Sequence, residues 1–317
     1  MRVRRLLALA AGATGLAAVG NRLLRRRAGG LPRPLPGVER TYRWRGMDVS
    51  YSVAGDPGDQ AIVLVHGIHA AAGSYEFEPI FEQLATEYRV FAVDLPGFGR
   101  SDRPPLVYSA GIYREFVREF LRDVPENPIV VASSLSGSFA TGAARDIETS
   151  EDDDERIDHL VLVCPTGETG PDRPWLRTLL RTPLVGTTLF NLLTSRASLR
   201  YFFSREGYYD SATLDDAELT YAWRTAHQAG ARYAPASFAA GTLDPNFELA
   251  EELAALSIPV TLVWGREATL IPLRAGRELA EAADRELVVI DYATQFPHAE
   301  HPHEFVEYLR AELAPIE

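Results

Sequence analysis

Five short apolar runs recur along the chain, Ala61–Val65, Arg89–Val93, Ile129–Ala132, Pro259–Trp264 and Glu286–Ile290, and stretches of helical periodicity separate them. Runs this continuous predict strands covered on both faces, and strands alternating with helices predict a mostly parallel sheet between helical layers. A chain of 317 residues can bury one large core of this kind.

The run Ile-Val-Val-Ala-Ser-Ser-Leu-Ser-Gly at 129–137 carries the chemistry. It reads as a strand entering a tight turn and then a helix, with a serine at the apex. The residues two before and two after such an apex must be small enough to pass each other. Ala132 and Ser136 meet that demand around Ser134. Centring on Ser133 would crowd Val131 and Leu135, and centring on Ser136 would move the turn two residues past the strand.

The neighbouring runs support this register. Ala61–Val65 ends in His66-Gly67-Ile68-His69, and Arg89–Val93 ends in Asp94-Leu95-Pro96-Gly97-Phe98-Gly99-Arg100-Ser101-Asp102. With these motifs the chain, from about Tyr42 to Leu313, resembles the α/β-hydrolase superfamily in its serine esterase and lipase-like branch. The resemblance implies a mostly parallel eight-stranded sheet with helices on both faces and a helical cap inserted after strand six. It implies Ser134 as nucleophile and the backbone amides of Ile68 and Leu135 as the oxyanion hole, and no cofactor. The expected division is a signal-like or anchoring segment at 1–30, a linker at 31–40, a core at 41–169 and 257–317, and a cap at 170–256.

Two positions depart from the family pattern. After strand seven, where relatives carry the triad aspartate, the segment Gly265-Arg266-Glu267-Ala268 has Ala268. After strand eight, in Ala293-Thr294-Gln295-Phe296-Pro297-His298-Ala299-Glu300-His301-Pro302, the histidine position holds Gln295. An amide can orient water but cannot accept a proton near neutral pH. In serine proteases, loss of the histidine base removes about 10⁶ of rate and leaves roughly 10³ to 10⁴ over water. Either another group supplies the base or the fold serves another purpose. Candidates are His298 as base, with Glu267 or Glu168 as acid. Phe296 precedes a proline and is biased toward extended backbone, which would put His298 about 10 Å from Gln295 and facing away. His66 reads as a loop-holding residue, His69 as lining the pocket mouth, His227 as a helix cap or packing group, and His159, His301 and His303 as surface or helix-start residues. Asp94 and Arg100 read as fixing the loop after the fourth strand.

Composition narrows the partners. The basic residues are all arginine. Seven arginines and no acid fall in the first thirty positions, so the rest carries 25 basic against 44 acidic residues, a charge of −19. That balance argues against nucleic-acid binding and fits a halophilic composition. The run Glu151–Glu155 reads as a solvated loop. Cys164, the sole cysteine, reads as a buried core thiol, and no metal-ligand spacing or phosphate loop is present.

At the amino terminus, arginines flank fifteen uncharged residues, Leu6–Gly20. They span only about 22 Å as a helix, which arginine snorkelling and continuation through Leu23 and Leu24 would extend. The segment reads as a membrane anchor, with a twin-arginine export signal as the alternative. The helical stretch from Gly170 to about Leu256 holds 12 of the 31 aromatic residues, which suggests an apolar cavity over Ser134. Two functions follow as expectations: hydrolysis of an ester or related acyl bond of a small apolar substrate through Ser134 with a non-standard base, or a catalytically silent hydrolase fold binding an apolar ligand or partner.

Overall fold

A computed structural model describes residues 2–150 and 156–313, with the side chains of residues 1–11 and 13 outside that description. The acidic run Glu151–Glu155 therefore lies outside the described residues.

The strands are β1 (Val38–Trp44), β2 (Met47–Ala54), β3 (Ala61–Val65), β4 (Arg89–Val93), β5 (Ile129–Ser133), β6 (His159–Val163), β7 (Val260–Gly265) and β8 (Glu286–Ile290). They form one eight-stranded sheet in the order β1-β2-β4-β3-β5-β6-β7-β8. β1 and β2 pair antiparallel to each other, β2 pairs antiparallel to β4, and every later pairing is parallel. The sheet starts at Val38, inside the stretch 31–40 expected as linker.

The helices are α1 (Arg2–Ala28), α2 (Glu78–Leu84), α3 (Ala110–Asp123), α4 (Ser136–Glu148), α5 (Pro174–Arg181), α6 (Val185–Leu193), α7 (Arg196–Phe202), α8 (Asp216–Ala226), α9 (Tyr233–Ala239), α10 (Leu249–Ala254), α11 (Leu273–Ala283), α12 (Pro297–Glu300) and α13 (Pro302–Leu313). Because strand side chains alternate between faces, each central strand feeds two cores. Val63, Val65, Val130 and Ala132 pack with Phe116, Phe120 and Phe139 of α3 and α4. Ile62, Leu64 and Val131 pack with Ile80, Phe81, Phe305 and Leu309 of α2 and α13. Full burial on both faces leaves the strand ends as the place where polar groups can meet a ligand.

Helices α5 to α10 lie in the chain between β6 and β7. Against them sits α1: the Asn21 amide donates to Thr188 Oγ1 (3.0 Å) and accepts from Asn191 Nδ2 (2.9 Å) on α6. Ala28 is buried, and it joins Leu24 in a cluster with Leu219, Ala222 and Trp223 of α8. Among the described residues no helix is long and apolar enough to cross a membrane. The spanning anchor expected at 1–30 is thus not supported by a membrane-length apolar helix, and Asn21 is turned toward α6.

His159 is also corrected. It is not a surface residue but a buried position of β6, with Nε2 2.9 Å from Thr261 Oγ1 on the adjoining β7.

Candidate active site

The loop after β3 is held from several sides. The Leu95 amide donates to His66 Nε2 (3.0 Å), so His66 Nδ1 carries the proton and donates to Gly67 O (2.7 Å). Burial lowers the His66 pKa, which keeps the ring neutral for this bridge. Asp94 accepts from the Ser74 amide (2.7 Å) and the Arg100 amide (2.8 Å). A side chain at Gly99, where φ is +47°, would come within 2.0 Å of the Asp94 carboxyl, which explains the second glycine of that loop.

Ser134 stands between β5 and α4 with φ of 53°, a left-handed conformation that an L-residue holds only under tertiary constraint. Its amide donates to Val163 O (2.8 Å), and its carbonyl accepts from the Gly137 amide (3.0 Å). The side chain is half-buried. Gly67 faces it so closely that an added Cβ would lie 3.3 Å from Ser134 Cβ. Ser136 Oγ donates to His66 O (2.6 Å) and ties the start of α4 to the same loop. Among the described residues, neither the Ile68 nor the Leu135 amide donates to a protein acceptor, and Leu135 sits at the N-cap of α4. Two free amides beside a helix N-terminus suit a developing negative charge.

The loop after β8 is arranged differently. Gln295 is 4% exposed, and neither its Nε2 nor its Oε1 has a partner within the protein. Ala268 packs with Cys164, Trp264 and Leu273. Burial pushes the Cys164 thiol up to about 12, so it stays a neutral packing group. Glu267 exchanges two bonds with Ala293, its amide donating to the carbonyl (2.9 Å) and its Oε2 accepting from the amide (3.2 Å). Glu168 is exposed.

His298 is not brought to Ser134, correcting the expectation that it serves as base. It lies on the single turn α12, opened by Pro297, rather than in an extended segment, and it is fully enclosed. Its Nε2 faces Glu76 Oε1 at 3.4 Å, and its ring rests against Phe77, Phe296 and Phe305. Among the described residues the Ser134 hydroxyl has no imidazole within hydrogen-bond distance.

The partner of His298, Glu76, is the residue that sequence reasoning missed. Its side chain is 6% exposed and its Oε2 accepts from the Gly67 amide at 3.0 Å. Burial alone would raise this carboxyl, but His298, Ser133 and His66 beside it outweigh burial and hold it at about 2. No local pattern marks Glu76 as buried, and its partner lies far along the chain.

Glu76 also walls a cleft with His69, Tyr75, Phe203, Tyr208, Glu218, Tyr221 and Phe296. Ser134 is not among the lining residues, but Gly67, which faces it, is held by Glu76 of the cleft wall. The space open to water centres is about 30 Å³, enough for roughly two waters. Its walls are aromatic and acidic rather than simply apolar. Glu218 accepts from Tyr208 Oη (2.7 Å), and burial together with the carboxylates of Asp215, Glu76 and Glu78 raises it to about 7. Burial lowers the half-buried His69 ring to about 4. Its Nδ1 accepts from the Ala71 amide (3.3 Å), leaving Nε2–H as a donor. Glu300 links this wall to the β8 loop, accepting from the Thr294 and Tyr209 amides (both 2.6 Å). Among the described residues no group of His, Cys, Asp and Glu side chains is placed to hold a metal ion.

Comparison with known proteins agrees with this fold. The model of a family described as "Alpha/beta hydrolase family" matches residues 62–308. A pimeloyl-[acyl-carrier protein] methyl ester esterase of Aliivibrio salmonicida is 28% identical over 262 residues, 80% of this chain and 92% of that protein. The uncharacterized hydrolase YugF of Bacillus subtilis is 25% identical over 255 residues, 76% of this chain and 84% of its own length. Among solved structures, a serine hydrolase involved in carbazole degradation superposes with a TM-score of 0.70 at 20% identity, covering 88% of this chain and 99% of its own. At that identity the likeness is one of fold.

Proposed function

The chain belongs to the alpha/beta hydrolase family, and on that footing we propose that it is a carboxylic ester hydrolase acting on a small substrate through Ser134. The observation that carries this reading is the left-handed Ser134 opposite Gly67, with the Ile68 and Leu135 amides free beside it. Ser134 Oγ attacks the acyl carbon, the two amides receive the oxyanion, and the alcohol leaves as the acyl-serine forms. The serine proton passes through a water to Glu76, which is ionised, walls the cleft and borders Gly67, and from there it is returned to the departing alkoxide so that a neutral alcohol leaves. Water then cleaves the acyl-serine and restores the hydroxyl. A carboxylate held near 2 is a weak base, so turnover is slow compared with an imidazole-driven relative. Helices α5 to α10 act as the cap, supported by the lining side chains of Phe203, Tyr208, Glu218 and Tyr221.

A second reading, a silent fold that binds a ligand without cleaving it, is favoured by the unpartnered Gln295 amide and the packed Ala268. A fluorophosphonate probe separates the two. Labelling of the folded protein that disappears in Ser134→Ala supports the hydrolase. Absence of labelling in the folded protein supports the silent reading.

A further inference from the structure

The cleft beside the elbow has a chemical bias that neither the fold nor the serine explains. Glu76 and Glu218 face it from opposite sides, one from the loop after β3 and one from α8, and no arginine lines it. Aromatic rings complete the wall: Tyr75 and Tyr221 stack at 4.5 Å between centroids, and Phe203, Tyr208 and Phe296 close the other side. Tyr221 is 6% exposed and its hydroxyl has no protein partner. Glu76 Oε1 has no aligned hydrogen bond, only His298 Nε2 at 3.4 Å. The arginines that act on Tyr221, Arg100 and Arg103, lie outside the lining and are engaged elsewhere, Arg100 with Glu39 and Arg103 with Gly99 O. Burying two carboxyls with no cation between them is costly, and aromatic faces attract a cation that is stripped of water.

We propose that this cleft binds the protonated amine of a small substrate, held by Glu218 against the rings of Tyr75, Tyr208 and Phe296, with Glu76 adding negative potential from the wall. The inference rests on the hydrolase reading and refines it: the ester cleaved at Ser134 carries an ammonium group on a short arm. The narrow space suits a primary ammonium better than a bulky head group. His69, neutral above about 4, adds a donor but no competing charge.

The test is titration of the full-length protein with n-propylammonium and with its neutral isostere n-propanol, followed by NMR or calorimetry. The cation should bind saturably and at least tenfold more tightly than the alcohol at pH 8. Glu218 faces Tyr208, Asp215, Glu76 and Glu78, and its carboxyl titrates at about 7. Cation affinity should therefore fall about tenfold between pH 8 and pH 6. Glu218→Gln should abolish both the preference and this pH dependence while the protein stays folded. Equal affinity for cation and alcohol, or cation binding unchanged in Glu218→Gln, overturns the proposal. Ser134→Ala should bind the cation as the native protein does. A cleft that binds the cation in a protein that fluorophosphonate does not label would keep this inference and remove the hydrolysis.

Discussion

The loops that follow β3 and β8 meet at the same end of the sheet but are built to opposite standards. On the β3 side the loop is tied down by hydrogen bonds from several directions: His66 bridges two loops, Asp94 holds two amides, and Glu76 holds Gly67. On the β8 side the position of the family's base is an enclosed amide with no partner, and the position of its acid is a packed methyl group. In the mechanism proposed above, the free Ile68 and Leu135 amides would steady a negative oxygen, while the residues after β7 and β8 pack rather than move a proton.

The comparison breaks or sharpens under substitution. The largest effect is expected from Gln295→His combined with Ala268→Asp, which returns a base and its orienting carboxylate. Esterase rate should rise about 10² to 10⁴-fold, measured with a chromogenic short-chain ester. An unchanged rate would mean that the difference between the loops is not what limits the chemistry.

Glu76→Gln comes next and acts on the β3 side. It removes the carboxylate that accepts from the Gly67 amide and faces His298 in an enclosed site, and stability should drop by about 2 kcal/mol in denaturant titration at pH 7. The native carboxyl sits at about 2 against an ordinary value of 4.5. Its contribution is therefore fully present above about 4.5 and lost as pH falls from about 4.5 toward about 2. The native protein should show that acid-limb loss and the variant should not. The smallest effect belongs to Asn21→Ala, which removes two side-chain bonds between α1 and α6. About 1 kcal/mol is expected, read as a modest fall in melting temperature.

Much of this was legible in the sequence because it is written locally. The strands showed as apolar runs, and the sharp bend at Ser134 showed through the small side chains of Ala132 and Ser136. The glycines after β4 show as a pattern, of which Gly99 makes room for the Asp94 carboxyl and Gly97 for Tyr108 and Ala234. What did not show depends on contacts between distant residues. Glu76 sits in Ser74-Tyr75-Glu76-Phe77 and looks like any acidic residue at a helix start; only folding brings His298 to it. His298 was judged from proline's effect on its neighbour, yet Pro297 opens a helical turn as readily as it ends a strand. The amino-terminal arginines and alanines suggest lipid because nothing within that segment reveals that Asn21 has partners on α6.

The docking of α1 has a practical consequence. Ala28 and Leu24 share a cluster with Ala71, Phe203, Tyr208, Ala222 and Phe296, several of which wall the cleft. Gln228 reaches back to Gly29 O (2.9 Å), and Arg100 bonds Leu31 O. An expression strategy that trims the leader as dispensable would unroof one side of this cluster. Shortened and full-length proteins should accordingly be treated as two different catalysts when their substrate ranges are compared.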